Sequence, residues 1–277
     1  MTPSQSRRYS DDALTCLEQE TDLLREEQRA FRRFKKFITT QTQTADTEPV
    51  ATHGTPVAAH HTPVATHGTP IATHGHSMAT PSGHSTGLQH IRDRYRELVM
   101  DVIEPGKETQ DSIDTHLEGE LTAELSAALR HHTVFTPQLR GSLLATITAA
   151  HNAREDVLEF IRREREAVAR QRDELDALDD EFSAIETRYG ETDRVTDLVS
   201  LYESLEAVES RCEAVVQTRQ RQLQTLSFSG PIERQDIHEY LYRDLDVTYP
   251  VLAETTGVAT KSHTLKERIE RRIATIE

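Results

Sequence analysis

Histidine has the widest chemical repertoire of the residues in this sequence, and seven of its 14 copies lie between residues 49 and 85. Neutral imidazoles bind Zn, Ni or Cu well, so a metal site is one interpretation of this crowding. The seven are His53, His60, His61, His67, His74, His76 and His84. A closed metal site requires a fixed geometry, and this segment has no pattern that would fix one. We therefore predict a spacer there and no metal ligands.

The same segment is an imperfect seven-residue repeat that begins ATHGTPV, AAHHTPV, ATHGTPI. A seven-residue period is typical of coiled coils, but Pro56, Pro63 and Pro70 remove helix hydrogen-bond donors from this one. No charged residue occurs from Pro49 to Ile91, and too little apolar surface is present to offset the entropy of ordering the chain. The pattern predicts a disordered His/Thr/Pro-rich linker over residues 42–87.

The remaining reactive side chains do not form a catalytic pattern. Cys16 and Cys212 are far apart and outside any CxxC pair, which indicates buried thiols acting as small hydrophobes. The sequence contains no Walker loop, GxGxxG, HExxH or GxSxG. His116 and the pair His131-His132 have carboxylates nearby in sequence, but nothing places a nucleophile beside a base. We predict no catalytic residue, no cofactor and no enzymatic activity.

The helix predicted within residues 1–41 combines aromatic and basic residues in its second half. Apolar residues recur at helical spacing, from Leu14 to Ile38, and Asp11 and Asp12 favour its positive end. The candidate contact residues are Phe31, Phe34, Phe37, Arg32, Arg33, Lys35 and Lys36. They are compatible with contact to a membrane surface or a protein partner, or with a packed helix whose cations complement the helix dipole.

The longest periodic signal begins at Leu143 and predicts a coiled coil. Apolar residues alternate in steps of four and three up to Tyr189, with Arg154, Glu164 and Gln171 as polar exceptions. A second series follows after Gly190. Its members are Leu198, Leu201, Leu205, Val208, Cys212, Val215, Arg219, Gln222 and Leu226. The short connection predicts an antiparallel coiled-coil hairpin over residues 142–228, with a compact helical bundle as the alternative.

Shorter helices are predicted on both sides of this hairpin. Within residues 88–141, one helix ends near Pro105-Gly106 and a second runs from Ile113 to Leu129. Within residues 229–277 we predict two or three short helices, the last opened by a capping box at Thr264. Leu252-Ala253 with Gly257-Val258 is also similar to the turn of a helix-turn-helix, followed by several basic residues.

The charge balance is strongly acidic, since 47 Asp and Glu residues against 32 Lys and Arg give a net charge of −15. That charge repels phosphate backbones, so general binding of nucleic acids is not expected. It suits a salt-rich medium, in which carboxylate repulsion is screened. No apolar run approaches the length of a membrane span, and the first residues lack the apolar stretch of a secretory signal. We therefore expect a halophilic, cytoplasmic protein.

Several short motifs resemble an uncharacterised haloarchaeal family of helical, coiled-coil proteins, a domain of unknown function. They are Glu27 with Ala30-Phe31-Arg32-Arg33-Phe34, Tyr95-Arg96-Glu97 with Val99-Met100, Phe135-Thr136-Pro137, Gly230-Pro231-Ile232-Glu233-Arg234 and Tyr249-Pro250-Val251-Leu252. The resemblance covers nearly all of the chain except the His-rich spacer. It implies a halophilic source, but it brings no activity, cofactor or catalytic residue.

Taken together, these patterns predict an all-α protein that acts through its helices and not through chemistry. The first hypothesis is a structural or protein-interaction protein that associates with itself or with a partner through a coiled coil. The second is a membrane-surface adaptor that uses the basic aromatic N-terminal helix. A DNA-binding regulator that uses the C-terminal helices is the third.

Overall fold

The computed structural model describes residues 8–45, 86–103, 110–132, 134–225 and 236–276. All regular structure in these ranges is helical and no strand occurs in them, which confirms the all-α class. No helix in the same ranges is both long and apolar enough to cross a membrane. The predicted linker lies outside the described residues over 46–85, whereas its two ends, 42–45 and 86–87, belong to helices.

The helices follow one another along the chain with long elements at both ends and in the middle. Their bounds are α1 Tyr9–Ala45, α2 Thr86–Tyr95, a π-helical turn Arg96–Met100, α3 Asp101–Ile103, α4 Gln110–Glu120, α5 Ala123–His131, α6 Pro137–Glu191, α7 Val195–Thr225, α8 Asp236–Leu241 and α9 Pro250–Ile276. The chain forms two compact units. The first consists of Met1–Gln28 and His151–Glu277, and the second of Arg29–Ala150.

In the first unit, α6 and α7 lie side by side and antiparallel. Gln171 of α6 donates a hydrogen bond to Gln222 of α7 at 3.0 Å, and ten residues later Glu181 pairs with Arg211 at 2.5 Å. Most positions of the predicted seam are buried on both helices, among them Ile161 and Leu178 of α6 and Leu205 of α7, while its last member, Leu226, lies outside the described residues. The periodicity therefore identified the inner faces of both helices.

The seam is covered by more helices than the hairpin prediction included. The buried apolar residues of α7, and those of α6 from Val157 onward, form one cluster with Leu17 of α1, Ile237 of α8 and Leu265 of α9. The start of α1 runs antiparallel to α6, since Asp11 lies near Arg172 and Glu27 near Arg154. Because α1 and α9 carry apolar stripes of their own, they bury them on the seam and complete a bundle. Supercoiling of α6 with α7 remains a prediction.

The C-terminal segment differs from the predicted set of short helices, because α9 is one helix of 27 residues. Thr264 lies in its interior, where its hydroxyl donates to the carbonyl oxygen of Thr260 at 2.8 Å, so the predicted capping box is wrong. Gly257 is exposed and helical, at a cost of about 1 kcal/mol relative to alanine. The turn of a helix-turn-helix is therefore absent from this described segment, because the helix continues through it.

In the second unit, threonine side chains set helix starts that the periodicity did not locate. The helix predicted from Ile113 to Leu129 is two helices, and Thr122 caps the second by accepting a hydrogen bond from the Leu125 N–H at 3.1 Å. Helix α6 starts at Pro137, earlier than the predicted Leu143. The Thr136 hydroxyl accepts from the Leu139 N–H at 3.1 Å, and proline suits the first helical position.

Candidate interaction surface

The phenylalanines of the basic aromatic segment belong to the core of the second unit. Phe31 and Phe34 have no exposed surface, and the Phe34 ring meets the Tyr95 ring edge-on at 5.3 Å. Phe37 is partly buried against the same cluster and meets the His90 ring at 5.3 Å. Burial of Phe31 and Phe34 favours the packed-helix alternative, because these rings bury the apolar stripe of their own helix. Contact of this segment with a membrane or a partner stays a prediction.

The cations of the same segment point outward. Arg29, Arg32, Arg33 and Lys36 are exposed, while Lys35 is half-buried and donates to the Thr148 hydroxyl at 2.8 Å. At about 100° per residue, Arg29, Arg33 and Lys36 fall within a sector of about 60° on the helix surface. We call these three residues the basic stripe. Within the part of the chain that the structure describes, none of the three has a carboxylate partner.

The basic residues of α9, in contrast, are paired with carboxylates of the first unit. Lys261 bonds Asp179 at 3.0 Å, and Lys266 bonds Glu209 at 2.9 Å. Arg272 pairs with Asp193 and also donates to the Tyr189 carbonyl oxygen at 2.9 Å. These contacts neutralise the cations that a DNA-binding interpretation requires. The DNA-binding hypothesis is therefore disfavoured, because the turn of a helix-turn-helix is absent from α9 and the basic side chains of α9 have carboxylate partners.

A buried polar network lies at the centre of the first unit. Glu164 of α6 and Arg219 of α7 have no exposed surface and form a two-pronged ion pair, one bond of which measures 3.0 Å. The Tyr242 hydroxyl donates to the same carboxylate at 2.7 Å, and His238 Nε2 lies 3.8 Å from it. One carboxylate thus joins α6, α7 and the chain that leaves α8.

The electrostatics of this network favour the charged pair. Burial alone would raise the pKa of Glu164, but the hydrogen bonds and charge of Arg219 outweigh burial, so the pKa of Glu164 is lowered. Burial, and then the charge of Glu164, raises the pKa of the Tyr242 hydroxyl well above its ordinary value. Tyr242 therefore remains a donor at neutral pH. Because Glu164 accepts from both Arg219 and Tyr242, we assign this network a structural role.

A second buried carboxylate holds the same segment from α1. Glu20 is 5% exposed, accepts a hydrogen bond from the Tyr240 hydroxyl at 2.5 Å and lies 3.5 Å from the Arg243 guanidinium. Burial, followed by the bond to Glu20, raises the pKa of Tyr240 to about 12. The short helix α8 is thus fixed by two carboxylates from two long helices. The sequence showed Glu164 as a polar exception in the first apolar series and Arg219 as a member of the second, whereas Glu20 and Tyr242 gave no signal.

The burial expected of both cysteines is found at Cys212 and only in part at Cys16. Both are free thiols; Cys212 is buried, and burial raises its pKa to about 11, while Cys16 is half-buried. A thiol with so high a pKa is a poor nucleophile at neutral pH. No group of three or more His, Cys, Asp and Glu residues among the described parts of the chain could hold a metal ion. The seven histidines of the spacer lie outside the described residues.

Comparison with known proteins gives a family and no further relative. A family model described as a domain of unknown function, DUF7260, matches residues 8–266. No curated protein and no solved structure matches the chain.

Proposed function

This chain belongs to the DUF7260 family, and we propose that it is a non-enzymatic protein-interaction protein that docks an acidic protein surface on the outer face of α1. The proposal is supported by the basic stripe formed by Arg29, Arg33 and Lys36, which is exposed and has no carboxylate partner in the described chain. We further propose a cytoplasmic, salt-rich setting, which the net charge of −15 favours.

The stripe is well suited to binding because its helix is held rigidly from the opposite side. Phe31 and Phe34 fix the rotation of α1 in the core, so the outward direction of the cations is set before any partner arrives. Arginine forms two-pronged bonds to carboxylates, which gives a contact both strength and direction. At about 1 M salt the Debye length is about 3 Å, so only carboxylates in direct contact with the stripe would contribute.

A membrane-surface adaptor is the second candidate, because the same stripe would also attract anionic lipid. Each cation near such a surface contributes about 1 kcal/mol to binding. Phe31 and Phe34 are buried in the core, so they add no apolar insertion into the lipid to this electrostatic attraction. Stable anchoring ordinarily takes two signals, and the described helix supplies one of them. We therefore rank this candidate below the protein partner.

The proposal is tested by isolating the tagged full chain from the cells that normally produce it, with bound proteins identified by mass. The variant R29E/R33E reverses two charges of the stripe. The control R165E/R170E reverses two exposed arginines of α6 that likewise have no carboxylate partner in the described chain. We expect a protein that is retained by the wild type and the control and lost from R29E/R33E. Equal recovery with all three chains would refute the proposed docking face.

A further inference from the structure

The outer face of α7 is acidic and built from small side chains. Glu203, Glu206 and Glu213 are exposed, and so are Ala207, Ser210 and Ala214, which lie among them on the same side of the helix. Glu206 approaches Lys266 at 3.6 Å, whereas Glu203 and Glu213 have no cationic partner within the described ranges. The face therefore presents carboxylates beside small side chains.

This face is opposite in charge to the basic stripe and long enough to receive it. At about 1.5 Å per residue, the carboxylates from Glu203 to Glu213 extend over about 15 Å, and the cations from Arg29 to Lys36 over about 10 Å. Arginine and lysine bury their aliphatic stems on apolar surface while the charged heads stay at its edge. Alanines and serine let such a helix approach closely, so the stems could cover Ala207, Ser210 and Ala214 and the heads reach the carboxylates.

We propose that the acidic surface bound by the basic stripe is the α7 face of a second copy of this chain. The inference rests on the proposed function and specifies its partner. At moderate salt, two chains of net charge −15 repel one another overall, and at high salt only groups in direct contact attract, so in both cases association requires a local region where opposite charges meet. The stripe provides that region, because it places three cations of an acidic chain on one exposed helix face. Charge pairs between facing helices also choose partners in coiled coils.

The proposal is tested by sedimentation equilibrium of the full chain at several protein concentrations and moderate salt. The wild type is expected to form a reversible complex of two or more copies. R29E/R33E places acidic residues opposite acidic residues, and E203R/E213R places basic opposite basic. Each is expected to raise the dissociation constant by roughly tenfold or more. The four changes combined in one chain restore opposite charges and are expected to restore association, while R165E/R170E leaves it unchanged.

Failure of this inference can be told apart from failure of the proposed function. A wild-type chain that stays monomeric at every concentration overturns the second-copy partner, even where R29E/R33E loses another protein in the isolation experiment. Association that R165E/R170E weakens as much as R29E/R33E also overturns it, because the effect would then follow net charge alone. Association that the four combined changes fail to restore overturns it as well, since the stripe and the α7 face would not be facing each other.

Discussion

Replacing Glu164 by alanine is expected to lower the free energy of unfolding by about 3 to 5 kcal/mol, because it leaves the Arg219 guanidinium buried without its counterion. The Tyr242 hydroxyl would lose its acceptor as well. Chemical denaturation followed by circular dichroism measures the change. Glu166→Ala is the matched control, since Glu166 lies two residues along the same helix and pairs with Arg162 on the exposed surface. The control should lose far less stability.

The triple variant E164L/R219M/Y242F tests whether the stability lost in Glu164→Ala comes from the lost ion pair itself or from the unpaired Arg219 charge left in the core. It replaces all three polar groups by apolar groups of similar size, and such replacement of a buried ion pair is often neutral or stabilising. We therefore expect the triple variant to be much more stable than Glu164→Ala. If Glu164→Ala were as stable as the Glu166→Ala control, the Glu164–Arg219 pair would not be buried as described.

The second large effect is expected for Phe34→Ser, which removes a fully buried ring that packs edge-on against Tyr95. Removing a buried phenylalanine side chain typically costs about 3 to 5 kcal/mol, and the serine hydroxyl adds a polar group to the core. Thermal melting measures the loss. Lys36→Ser, two residues along on the exposed face, is expected to melt close to the wild type.

The same two variants also decide whether the phenylalanines insert into lipid. Flotation with phosphatidylserine-containing vesicles would be carried out on the wild type, Phe34→Ser and Lys36→Ser. We expect Phe34→Ser to alter melting without altering any flotation that the wild type shows. Flotation that depends on Phe34, in a variant that melts normally, would show that this ring is a membrane contact and that the core assignment is wrong.

The sequence predicted which faces are buried better than it predicted what covers them. The alternating steps through Ile161 and Leu178 identify the inner face of α6, because helix geometry alone determines which residues share a side. The covering helices are not determined locally, since α1 and α9 reach this seam from the two ends of the chain. Non-local packing therefore creates the helical bundle that the sequence left open as the alternative to an extended hairpin.

In the basic aromatic segment of α1, too, local sequence predicted the helix and its apolar side but not what that side contacts. The sequence correctly placed Phe31, Phe34 and the cations on one amphipathic helix, but an apolar stripe can face a core, a lipid surface or a partner. Burial against Tyr95 decides between these, and Tyr95 lies beyond the spacer in sequence. The sequence did not predict the helix start at Thr122 for a different reason, because one capping hydroxyl is a weak signal within a periodic run of apolar residues.

The most direct test of the proposed docking face is photo-crosslinking from a residue of the basic stripe. A photoreactive amino acid would replace Arg33 in the full chain, expressed in the cells that normally produce the protein. In a separate control variant it would replace the exposed Arg170 of α6. The account predicts a protein adduct from position 33 that is absent from position 170, and its crosslinked peptide identifies the acidic partner surface. Absence of a protein adduct at position 33, or the same adducts from both positions, would contradict it.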